Sequence, residues 1–160
     1  MIDIKDVYVQ AFLAIKQDSQ LLDLLEIAHE NVNVNDFMTQ LRKQVVDTSH
    51  PDDLLTDNAT RLSIHDYDES YRSGKFQETA YLAVDINITK DKNAKDRRSL
   101  MIMKRLVEVL DSEQRKREYK QPLPIGLYGL EYVTRLKDNQ RNTTTGWEKH
   151  TVVFKYSYLF

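Results

Sequence analysis

The stretch from Glu78 to Leu110 changes its hydrophobic period partway along, and this fixes two adjoining elements at once. Ala80, Leu82, Val84, Ile86 and Ile88 alternate with Tyr81, Ala83, Asp85, Asn87 and Thr89. A period of two describes a strand with one face on a core and the other wet. A polar hinge, Lys90 to Asn93, follows. Leu100, Met103, Leu106, Val107 and Leu110 then recur at helical spacing, and Ile102 and Val109 widen the stripe. A long strand feeding an amphipathic helix is the nucleus of a layered α+β domain.

The rest of the chain supplies the other elements. Ile4, Val7, Ala11, Ala14 and Ile15 share one side of a helix over residues 3–16. Asp18 or Ser19 can cap a second helical piece, Leu21 to Ala28, which is apolar nearly all round. Asn31 to Asn35 favours turns, Asp36 can cap a short helix over Phe37 to Val46, and Asp47 to Asn58 reads as a loop around Pro51. Arg61 to His65 fits a short strand. Asp66 to Lys75 is polar, holds Gly74, and is expected to be a long exposed loop. Asp111 to Gln121 is expected to be the frayed helix end and a connector, stopped by Pro122 and Pro124. Ile125 to Lys137 reads as a strand, and residues 138–146 as a hairpin loop with Gly146 at the turn back. In the last strand Val152, Phe154, Tyr156, Tyr158 and Phe160 share a face. The expected fold is therefore one α+β domain over residues 1–160. It has a single mixed or antiparallel sheet of about four strands, an amphipathic helix on one face, and helices at the N-terminus.

Composition narrows the chemistry. The absence of cysteine excludes disulfides, thiolate metal sites and cysteine nucleophiles. No apolar run approaches the ~18 residues of a membrane span, and the acidic start of the chain does not read as a secretory signal, so a cytoplasmic protein is expected. The net charge of −2 is unevenly spread. Residues 1–60 carry 4 Lys and Arg against 11 Asp and Glu, whereas residues 90–120 carry 11 against 6. Either this is solvated surface, or the acidic end of one copy meets the basic flank of another. The six acids within 90–120 argue against specific nucleic-acid binding.

No catalytic motif emerges. His29, His50, His65 and His150 share no ligand spacing, and H-E-x-x-H, a Gly-rich phosphate loop and G-x-S-x-G are missing. A metal-dependent nuclease would pair Asp85 with a second acid and a lysine two residues apart on a neighbouring strand. The pairs on offer, Asp3/Lys5 and Glu118/Lys120, lie in a helix and a connector. Asp85 is expected to face water. The C-terminal aromatic stripe reads as core in preference to a base-stacking platform.

The order of elements resembles that of the tail-terminator and head–tail joining (neck) proteins of long-tailed bacteriophages. The shared features are a first helix, a strand of the type RLSI (61–64), a polar loop with Gly74, and the Glu78–Thr89 strand running into its helix. The chain closes on Gly146-Trp147-Glu148 followed by Thr151 to Tyr158. The match covers residues 60–160 and the first helix, while residues 29–59 are longer than the family pattern. The resemblance implies a structural protein without active site or cofactor. Its copies form a ring, of about six, that caps the tail tube. Its partners would be the tail tube protein and a head connector or stopper protein, its place the neck of the virion and, during assembly, the host cytoplasm. Another neck role, head completion or connector, is the alternative, with the nuclease behind it. Interface candidates are Asp66, Tyr67, Tyr71 and Arg72 in the first loop, Asn139 and Arg141 in the second, and Arg97, Arg98, Met101, Lys104 and Arg105 on the helix surface. Met101 sits among these charges as either a stray apolar residue or a subunit contact.

Overall fold

Strand β3 (Gln77–Thr89) lies at the middle of the sheet, and from Leu82 to Ile88 both of its faces are buried. It pairs antiparallel along its length with β5 (Trp147–Leu159), from Gln77 opposite Leu159 to Thr89 opposite Trp147. On its other side is β2 (Arg61–Arg72), with Leu62 opposite Ile86 and Ile64 opposite Val84. A short β1 (Val45–Val46) joins β2 in parallel, and β4 (Glu131–Lys137) lies against β5, so the order is β1-β2-β3-β5-β4. This computed structural model describes residues 4–47, 57–72, 76–137 and 146–159. Among the described residues there are six helices: α1 (Ile4–Gln17), α2 (Ser19–Leu24), α3 (Val34–Gln44), α4 (Lys90–Asp96), α5 (Arg98–Leu110) and α6 (Ser112–Tyr119). The fold is α+β with one mixed sheet, one strand richer than expected because β1 is added.

The core forms where the apolar face of the sheet meets α1, α2 and α5. Leu62, Ile64, Leu82, Val84, Ile86, Val152 and Phe154 supply the sheet side, and Ala11, Ile15, Leu21, Ile102, Leu106 and Val109 the helical side. Each such Leu or Ile contributes about 1.5–3 kcal/mol relative to exposure. The stripe of α5 centres on Ile102, Leu106 and Val109, so Leu100 falls off its edge and is 41% exposed.

Several expectations are corrected. Asp66 to Arg72 is the far half of β2 and not a loop, because the backbone of β3 offers partners as far as Glu78, opposite Arg72. Lys90 to Asn93 is the start of helix α4, capped by the Thr89 hydroxyl. Asn33, not Asp36, caps α3 through its side-chain oxygen on Asn35 N. Residues 112–119 form an ordered helix. Asp111 caps it by accepting from Glu113 N and Gln114 N (both 3.1 Å) through Oδ2, while its Oδ1 accepts from Tyr132 N at 2.8 Å. One side chain thus starts α6 and fastens it to the start of β4. The strand read as beginning at Ile125 begins at Glu131. Gly126 and Gly129 take φ of +58° and +80°, which break an extended run, and a Cβ on Gly126 would lie 2.3 Å from Ser157 O. Most of the loop over 47–58, and residues 138–145, lie outside the described residues.

Candidate functional site

Strand β4 is one of the two edges of the sheet and, among the described residues, pairs with β5 alone. Residues 131–136 are all exposed, including Tyr132, Val133 and Leu136. An edge strand presents a row of backbone groups that a further strand could pair with. Behind it, a groove of about 490 Å³ runs between β4 and α5, lined by Leu100, Met103 and Val107 on the helix and by Tyr132 and Val152 on the strands. Tyr132 sits edge-on to Phe154, with ring centroids 6.3 Å apart, which fixes the strand wall of the groove. Lys104, Glu108, Gln114 and Arg135 line its more polar parts.

The helix candidates divide. Met101 is 43% exposed, Arg97 is exposed at the left-handed joint between α4 and α5, and Lys104 reaches Glu108 only at 4.0 Å. These three belong to an accessible face of α5. Arg98 is committed to Asp96 and Glu26. Arg105 is a correction: it is buried and cannot meet a partner. Its Nε and Nη2 donate to Asp18 (3.1 and 2.5 Å), and Nη1 faces Glu108 (3.1 Å) and Glu118 (2.8 Å). Asp18 also accepts from Tyr119 OH at 2.6 Å and caps α2 through Leu21 N. Burial pushes the Asp18 pKa up, but hydrogen bonds from Arg105, Tyr119 and Leu21 N outweigh it and hold it below the usual value. Burial first, then the bond to Asp18, raises the Tyr119 hydroxyl to about 12. The hydrogen bond to Asp18 raises Arg105. This cluster ties α1, α2, α5 and α6 together; it is packing and not a binding surface.

The loop candidates lie elsewhere. Asp66 and half-buried Tyr67 stand on β2, two strands away from the β4–β5 pair that flanks the groove, with Tyr67 opposite Tyr81. Tyr71 and Arg72 are on the same strand, opposite Thr79 and Glu78, and only their backbone is described. Asn139 and Arg141 lie outside the described residues. Sequence reasoning missed the groove because it took Leu100 and Val107 for core and Tyr132 for a mid-strand residue. The short span of β4 after two glycines was the available signal.

The sheet face away from the helices carries a polar cluster. Asp85 is buried, not turned to water as expected. Its Oδ1 accepts from Thr151 Oγ1 (2.6 Å), its Oδ2 meets His65 Nε2 (2.8 Å), and Lys149 Nζ stands 3.9 Å away. His65 Nδ1 lies 2.8 Å from the Asp66 carbonyl. Both ring nitrogens therefore face acceptors, which the doubly protonated imidazolium alone can satisfy with two donors. The Asp85 hydrogen bond raises the His65 pKa, against burial, which lowers it. Thr151 donates to the acid and not to the imidazole, so the trio is not laid out to activate a hydroxyl nucleophile. Among the described residues no group of three or more His, Asp or Glu side chains is placed to hold a metal ion, and no helix is long and apolar enough to cross a membrane.

No protein-family model and no curated protein matches the sequence. The fold is similar to that of a chain in the solved structure described as "Virion of native gene transfer agent (GTA) particle". The TM-score is 0.59, the sequence identity 12%, and the match covers 96% of this chain and 94% of that one.

Proposed function

We propose that this chain is a structural virion protein that acts as the ring subunit terminating a phage-type tail. The observation that carries the reading is fold similarity along nearly the whole of both chains to a component of a virion. The tail-terminator pattern in the sequence, from the first helix to the closing Gly146-Trp147-Glu148 arm, gives that similarity its finer direction. In this reading copies close into a ring, of about six, through a heterologous contact in which one patch meets a different patch on the neighbour. The open edge of β4 and the groove beside α5 form one of the two patches. The tail tube protein and a head connector or stopper protein bind the two faces of the ring. No chemistry is assigned to the molecule: the perturbed groups Asp18, Arg105, Tyr119 and His65 are tied into pairs that hold elements together, and Arg115 and Tyr156 are shifted by burial first of all.

Mass photometry over a concentration series tests this directly. A closed ring, alone or above a threshold concentration, is the expected result. A monomer at every concentration, with no effect on tail length when added to polymerising tail tube protein, would remove the reading. A ring that leaves tube length unchanged but joins heads to tails would move the chain to another neck role.

A further inference from the structure

The far side of the sheet is also largely bare. There β1 is the edge strand, but it covers β2 only at Leu62 and Ser63, opposite Val45 and Val46. Along residues 64–72 no described strand lies on the outer side of β2, while β3 holds its inner side as far as Arg72. β4 is 7 residues long and so fits within that open stretch. The two edges also match in sense. β2, β3, β5 and β4 each run antiparallel to the next, so β2 and β4 run in opposite directions. Copies set side by side in one orientation therefore bring β4 of one against β2 of the next as an antiparallel pair.

Charge and facing favour the same pairing. Residues 65–72 carry Asp66, Asp68 and Glu69 against Arg72, and β4 carries Arg135 and Lys137 against Glu131. Glu131 lies 3.3 Å from Lys155 of its own copy, which leaves the β4 edge basic on balance. Asp66 stands opposite Leu82, and Arg135 stands opposite Val152, itself opposite Val84. Leu82 and Val84 are core residues, so Asp66 and Arg135 are on the helix-bearing face of the sheet. Both are exposed. A sheet continued from copy to copy, with its helices on one side, puts these opposite charges on one face of the joint.

We propose that the outer edge of β2 is the second patch of the ring contact and receives β4 of the neighbouring copy by strand addition. One sheet then runs through each joint. This rests on the ring reading above and supplies the patch that it leaves open. Backbone hydrogen bonds provide the attraction, and the charges decide which edge meets which. Once every β4 is paired with a β2, a closed ring has no bare edge left to recruit further chains.

The test is a charge exchange read by mass photometry at low salt. Arg135→Glu and Asp66→Lys are made singly in the full chain and then together in one chain, and the two single variants are also mixed in equal amounts. Each single variant sets like charges at the joint and should weaken self-association by about fivefold. The combined variant and the mixture should both return to the parent's level, because each β4 again meets a β2 of opposite charge. Thermal unfolding of dilute protein checks that every variant folds. An Asp66→Lys chain that assembles like the parent, as pairing of β4 with β4 would allow, overturns the proposal. So does a combined variant that stays weak although it unfolds like the parent. A ring that forms unchanged in every variant would keep the ring reading and refute this contact, whereas a parent that stays monomeric at every concentration would remove both.

Discussion

His65 is held between two acceptors, the Asp85 carboxylate and the Asp66 carbonyl, while Lys149 opposes its charge from β5. Its folded pKa is raised, so its contribution is complete below the unfolded value of about 6.5 and is lost as pH rises through the folded value. Thermal stability should therefore fall as pH climbs above about 6.5. His65→Gln should flatten that part of the curve, and an unchanged slope in the variant would assign it to another group. Asp18 offers a second residue-scale prediction. Asp18→Ala removes the cap of α2 and strands Arg105, and should cost about 3–5 kcal/mol in urea unfolding. Adding Arg105→Met should recover part of that loss, because the uncompensated buried charge goes with it. Neither pair was legible in the sequence. Asp18 and Arg105 stand 87 positions apart, and a single arginine on a helix reads as solvated until its partner is known. Asp85 misleads in the same way: period two puts it on the wet face, but Thr151 and His65 from the neighbouring strands meet its carboxylate there.

At the scale of elements, the reading succeeded where hydrophobic period and length reinforced each other. β3, α5 and β5 each carry a long run with a single period, so a one-residue slip would turn a whole apolar set outward. It failed where the determinant is a cap or a partner strand. The far half of β2 is polar enough to read as a loop, and what makes it a strand is the waiting edge of β3. Helix α6 is polar nearly throughout and exists because Asp111 caps it and Arg115 and Tyr119 anchor it. β4 is the element whose exposure the proposed ring contact uses. Leu136 is exposed on this edge, and Leu100 is exposed at the rim of the groove. Leu136→Lys and Leu100→Glu should each leave monomer unfolding within about 0.5 kcal/mol of the parent, since neither side chain is in the core. Both should lower the ring fraction seen by mass photometry by roughly tenfold, about 1.4 kcal/mol of association energy. Losses of monomer stability that match the losses of ring would show these residues to be structural.

Across the whole molecule, the charge asymmetry suggested that an acidic end meets a basic flank, and the structure changes how strong that contact can be. Much of the basic flank is already neutralised within one copy. Arg98 is held by Asp96 and Glu26, Arg105 by Asp18, Glu108 and Glu118, and Lys92 by Glu26. The acidic partners Asp18 and Glu26 come from the first sixty residues, so part of the attraction expected between copies is satisfied inside each one. What α5 and the joint before it still offer outward is Lys104 and Arg97 beside Met101 and the apolar groove. Exposed pairs of this kind contribute about 0–1 kcal/mol each. Raising salt from about 50 to 500 mM shortens the screening length roughly threefold and should weaken self-association only a few-fold. Leu100→Glu should weaken it more, because it places a charge at the rim of an apolar surface that assembly must dry. Measuring the apparent dissociation constant of the parent across the salt series, beside the variant at a single salt, ranks the two contributions. A salt effect larger than that of the variant would return the weight of assembly to the charged regions and leave the groove a bystander.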